Sequence, residues 1–169
     1  MLEHARIRVP AAEFRLGELT ALPVGDHTVD IVVCALALTH VSDLRPVFAE
    51  FARVLKPGGD LVVADVHAEH VLLGSVPRMV TADGRRGVMP GHRHRAGDYL
   101  RAALPAGLVV RRCEEPLAGP QPPAADGLGE VAAGSWQTWP WSLLEVAPAA
   151  ARAVFGGSPV TVVWHFTAP

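Results

Sequence analysis

The chain has 169 residues, of which 50% are apolar and 19% charged, with a formal net charge of -2. That length and apolar share fit a single globular domain over residues 1–169 with enough material for a core, which excludes disorder throughout. A near-neutral balance without any long Lys/Arg block argues against nucleic acid or an anionic membrane as partner, and no apolar run approaches the roughly 20 residues of a membrane span.

The N-terminal stretch MLEHARIRVPAAEF is too polar for a secretory leader. Cys34 and Cys113 both lie in apolar, strand-like runs and share no CxxC spacing, which predicts neither a disulfide framework nor a zinc site and points to a reduced, cytoplasmic setting.

In chain order, EFRLGEL at 13–19 alternates apolar and polar residues and runs into the turn-rich ALPVGDHT, which predicts a short strand and a loop. VDIVVCALAL at 29–38 is a continuous apolar run rich in β-branched residues, the pattern of a strand buried on both faces at the centre of a parallel sheet. Leu44, Val47, Phe48, Phe51 and Leu55 then recur at helical spacing, with Ser42 or Asp43 as N-cap and Pro46 in the first turn. KPGG at 56–59 ends that helix, and DLVVADVH at 60–67 reads as a second buried strand, completing a right-handed βαβ unit.

Farther along, AEHVLLGSV predicts a short helix, and ADGRRGVMPGHRHRAG a polar, Gly-rich loop. AGDYLRAALPAGL has helical spacing and closes on Gly107, and LVVRRCEEP at 108–116 is a strand. Residues 117–135 form a long loop rich in Pro, Gly and Ala, of a length more common in lids and binding loops than in linkers. A partly helical WSLLEVAPAAARAVFGG and a last strand, SPVTVVWHFTAP, follow; Trp164 and His165 alternate faces, so at least one belongs to the core.

Three segments carry a resemblance: FRLGELTALPVGDHTVDIVVCALALTHVSD, EFARVLKPGGDLVVADVH and HRAGDYLRAALPAGLVVRRCEEP. They resemble the class I S-adenosylmethionine-dependent methyltransferases of the small-molecule type, with RVLKPGG the most specific piece. The resemblance implies an α/β, Rossmann-like sheet flanked by helices, with S-adenosylmethionine at the carboxyl ends of its central strands. Carried over by position, it places Gly17, Glu18 and Leu19 at the adenine, with Glu18 where relatives usually have Asp, and Cys34, Ala35 and Leu36 at the methionine part of the cofactor. It also places His40 near the transfer site, where an imidazole can accept a proton at neutral pH.

Relatives begin with a Gly-rich loop and an acidic strand end that binds ribose hydroxyls, and neither pattern precedes MLEHAR. The expectation is a methyltransferase sheet truncated at its N-terminus, with the first two strands absent and half of the cofactor site with them. Such a sheet leaves an apolar strand edge bare, so either residues 13–19 pair with 30–36, or two chains join as a homodimer or with another sheet-edge partner. The function expected is methylation of a small molecule in secondary metabolism; the alternative is a cofactor-independent cyclase or isomerase, or a non-catalytic binding protein, on the same fold.

Asp65 and His67 end the second buried strand and are candidate substrate contacts, with loop-fixing hydrogen bonds as the other reading. Trp136 and Trp139, in WQTWPW, either line an aromatic substrate pocket or pack a C-terminal helix. His67, His70, His92 and His94 have no acid or cysteine at a recurring metal spacing, so no metal is expected.

Overall fold

A computed structural model describes residues 2–72, 78–89, 91–117 and 157–169. Its elements are α1 (Leu2–Arg8), β1 (Val29–Ala35), a 3-10 turn (Leu38–His40), α2 (Arg45–Val54), β2 (Leu55–Val66) and α3 (Ala68–Leu72). Then come β3 (Arg78–Val80), β4 (Arg86–Val88), α4 (Ala96–Ala103), a second 3-10 turn (Leu104–Ala106), β5 (Val109–Glu114) and β6 (Thr161–Thr167). Four strands form one sheet in the order β1-β2-β6-β5, and β3 and β4 form a separate hairpin.

β1 and β2 are parallel and joined through α2, the βαβ unit expected from the sequence. β6 returns antiparallel between β2 and β5. Helix α2 exists because Val47, Phe48, Phe51 and Val54 fall on one face and bury it. It starts later than expected, with Leu44 at the N-cap, but the Asp43 carboxylate still accepts from Arg45 N (3.0 Å).

The KPGG segment does not cap the helix. The chain turns extended at Leu55, and the ladder skips from Val29–Leu55 to Ile31–Asp60, so these four residues bulge within β2. Gly58 has φ +75° with open space around the position a Cβ would take. Gly59 is confined instead: a Cβ there would lie 2.9 Å from both the Asp30 and the Lys56 carbonyl oxygens.

Side-chain alternation separates the sheet into two unlike faces. On one, Leu61, Val63, Trp164 and Phe166 are sealed beneath α2 and α4. Aromatic rings join the layers: Phe48 meets Phe166 edge-on at 5.6 Å, and Tyr99 lies 5.7 Å from Trp164. On the other face Ile31 is 61% and Val33 69% exposed. This corrects the expectation that β1 is buried on both faces at the sheet centre: it is an edge strand, and among the described residues no strand lies on its other side.

Residues 13–19 do not form the expected strand, nor do they pair with 30–36; their sole ladder-like contact is an isolated bridge between Glu18 and Ala21. The loop that follows, at 22–26, is held instead by side chains of α2. Glu50 Oε1 accepts from Leu22 N (2.6 Å), and Arg53 donates to Val24 O (2.9 Å) and pairs with Glu50 and Asp26. The Gly-rich loop expected over 82–97 also contains the β4 strand, paired with β3 through a turn at Thr81–Arg85.

Candidate functional site

The carboxyl end of β1 brings several candidate residues together. After Ala35 the ladder continues for one bond, Leu36 N to Ala64 O (2.8 Å), and the backbone then enters the left-handed region at Leu36, φ +53°. A bulky residue in that region is strained, and strain of this kind concentrates at functional sites. Leu36 is nonetheless 58% exposed, so its apolar side chain is displayed beside the exposed Ala35.

The Leu38–His40 turn follows. His40 is exposed, while the flanking Leu38 and Thr39 are buried. Asp65 fixes this turn from β2: at 1% exposure its Oδ2 accepts from Thr39 N (2.9 Å), and its Oδ1 from Val66 N (2.7 Å). Two backbone donors compensate a buried carboxylate that has no cation in contact among the described residues. Asp65 thus serves the turn that carries His40. Cys34 is buried beneath the same end, and burial, with the Asp65 charge adding to it, pushes its thiol up to about 11. It stays protonated at neutral pH and packs as a small apolar group.

His67 points elsewhere. Its Nδ1 accepts from Glu69 N (3.1 Å) at the start of α3, so the proton lies on Nε2, which faces Glu115 Oε1 at 3.1 Å. The imidazole caps a short helix and ties it to the end of β5, the loop-fixing alternative for this residue. Gly17 and Glu18 are exposed in the irregular N-terminal segment, with Leu19 packed against the core. The Glu18 carboxylate has no hydrogen bond or ion pair among the described residues. Trp136 and Trp139 lie outside the described residues.

His94 and His92, read from the sequence as solvent-exposed or site-lining histidines rather than metal ligands, touch this turn. His94 Nε2 lies 3.0 Å from Leu38 O and 2.8 Å from Val41 O, and His92 N donates to Thr39 O (2.7 Å). The sequence signal was present in the HRH run preceding α4, but spacing along the chain did not reveal its partner more than fifty residues away. His94 also lines a polar cavity of about 210 Å³ with Ser42, Asp43, Leu44, Arg45, Asp98 and Arg101. In that cavity Arg45 holds the Asp43 carboxyl down at about 2. Among the described residues there is no cluster of three His, Cys, Asp or Glu side chains able to hold a metal ion.

A family model described as a methyltransferase domain matches residues 1–63. The demethylmenaquinone methyltransferase of Renibacterium salmoninarum is 42% identical over 106 residues, 63% of this chain and 37% of that protein. The chain therefore spans little more than a third of that curated relative. Among solved structures, an S-adenosylmethionine-dependent methyltransferase from Mesorhizobium loti superposes with a TM-score of 0.62 at 18% identity, covering 99% of this chain and 75% of that one. The 4+2 cyclase SpnF superposes with a TM-score of 0.55 at 18% identity, covering 99% and 60%. No helix among the described residues is long and apolar enough to cross a membrane.

Proposed function

We propose that this chain belongs to the class I S-adenosylmethionine-dependent methyltransferase family, binds S-adenosylmethionine at the carboxyl end of β1 and methylates a small molecule of secondary metabolism, a reading supported by its similarity to methyltransferases in sequence and fold. The observation that carries this reading is the exposed, left-handed Leu36 followed by an anchored turn. Open parallel sheets bind ligands just beyond their strand ends, and here an apolar surface is displayed where burial would be expected.

The residues present suit such a ligand. Ala35 and Leu36 offer an uncharged, apolar surface to the methionyl portion, backed by the buried Cys34, and Gly17, Glu18 and Leu19 stand for the adenine side, where the free Glu18 carboxylate can accept from an amino group. When bound, the cofactor supplies an electrophilic methyl group on a sulfonium. The chain's own part is orientation of the acceptor and, at His40, an imidazole to take the proton the acceptor loses. Asp65 supports that turn through Thr39, and a substrate reaches the exposed His40 from solvent. Trp136 and Trp139 are proposed to contribute aromatic surface to the acceptor.

The protein is proposed to work in the cytoplasm, as a homodimer or with another sheet-edge partner along the free edge of β1. A second reading, a cofactor-independent cyclase on this fold, has its support in the superposition with the 4+2 cyclase.

Calorimetric titration with S-adenosylhomocysteine, at protein concentrations sensitive to a dissociation constant of ~1 mM, tests the first reading. Saturable one-to-one binding that is weakened by Leu36→Glu is the expected result. No binding by the wild type retires the cofactor and leaves the cyclase reading.

A further inference from the structure

The Leu38–Val41 turn is gripped on several sides, and the grip from the HRH run has no counterpart in the function proposed above. We propose that His94 is a positioning residue: its Nε2–H, shared between the Leu38 and Val41 carbonyls, holds the turn that presents His40. As a statement about function this rests on the cofactor reading; as a statement about the turn it does not.

Both partners of Nε2 are carbonyl oxygens, 3.0 and 2.8 Å away, and carbonyls only accept, so Nε2 carries a proton and donates to both. The two carbonyls stand at either end of the turn. One donor therefore closes it like a clasp, whereas Asp65 and His92 N each hold only Thr39 in its middle.

The donor is itself held in place. His94 is 8% exposed and meets Tyr99 edge-on at 6.1 Å, while Tyr99 is buried against Phe48 and Trp164. Immediately after it, Arg95 N donates to Asp98 Oδ2 (2.8 Å), which fixes the start of α4. The packed helix layer thus fixes the imidazole, and the imidazole fixes the turn. A turn lacking such a clasp would sample many shapes, and a base on it would lose its aim.

The test pairs His94→Leu, which removes the donor, with His94→Gln, whose amide N–H₂ reaches about as far as Nε2. Amide hydrogen exchange at Thr39, His40 and Val41 and affinity for S-adenosylhomocysteine are measured for each. In His94→Leu exchange at the turn is expected to rise roughly tenfold with the β1 and β2 amides unchanged, in line with loss of one buried hydrogen bond. The ligand is expected to bind roughly tenfold more weakly, and His94→Gln to restore both quantities to within about threefold of wild type.

Unchanged turn exchange in His94→Leu overturns the proposal. So does an equal loss of protection across β1, β2 and β6 in both variants, which would make His94 merely a core residue. Should His94→Leu fail to fold, His94→Asn, whose shorter amide stops near the Nδ1 position, replaces it against His94→Gln with the same expectations. If the wild type binds no S-adenosylhomocysteine, the exchange result still decides the clasp, and the failure belongs to the cofactor reading alone.

Discussion

The two faces of the same sheet differ in what covers them. Residues of β2 and β6 that point toward α2 and α4 are sealed, with Leu61, Val63 and Phe166 at 0% exposure, whereas Ile31 and Val33 of β1 point the other way and are more than half exposed. Both sets are apolar and sit in strands of similar composition. Composition therefore makes a strand, while the layer available to cover it decides whether its side chains stabilise the fold or remain free for association.

Truncating the sealed face gives the largest expected effect. Phe166 touches both Phe48 and Trp164, so Phe166→Ala is expected to cost about 3–5 kcal/mol in urea denaturation. A loss below about 1 kcal/mol would mean the two faces are energetically alike, contrary to the burial pattern.

The next effect concerns the loop at 22–26, which is held by side chains of α2 rather than by a ladder. Hydrogen bonding from Arg53 keeps the Glu50 carboxyl below its usual range, against the opposing pull of burial, with Leu22 N–H assisting. A lowered carboxyl pKa contributes stability that is present above the ordinary carboxylate range and is lost as pH falls through the folded-state value. Glu50→Gln should accordingly destabilise the protein at neutral pH and flatten its acid limb. Melting curves from neutral pH into the acid range check this; a parallel shift at every pH would assign the effect to packing.

The smallest stability effect is expected on the open face, where Val33→Lys should change unfolding free energy by no more than about 0.5 kcal/mol. The same substitution should abolish any concentration-dependent dimer seen by light scattering. A large destabilisation with no change in mass would show that the open face is covered within the monomer.

How much of this could be read from sequence depended on whether the pattern was local. The βαβ unit, α4 and β5 followed from spacing, because Val47, Phe48 and Phe51 or the β-branched run at 29–33 announce their own secondary structure. The N-terminal strand failed because alternation in EFRLGEL signals a strand only if a neighbour completes its ladder, and none does among the described residues. Asp65 stood out by its position at a strand end, as a substrate contact or a loop-fixing residue, and its carboxylate accepts from Thr39 N and Val66 N. His94 was missed as a turn partner because its hydrogen bonds cross 53 to 56 positions of chain, and no local pattern encodes that.

The bulge in β2 places two adjacent glycines under unlike constraints. At Gly58 the limit is the dihedral angle, with space to spare; at Gly59 it is the backbone of two other residues pressing in. In a saturation library screened for folded protein, position 58 should return asparagine and aspartate among its survivors, since short polar residues tolerate the left-handed region. Position 59 should return glycine alone. One dipeptide would thus supply a tolerant and an intolerant column side by side, an internal calibration for the whole library.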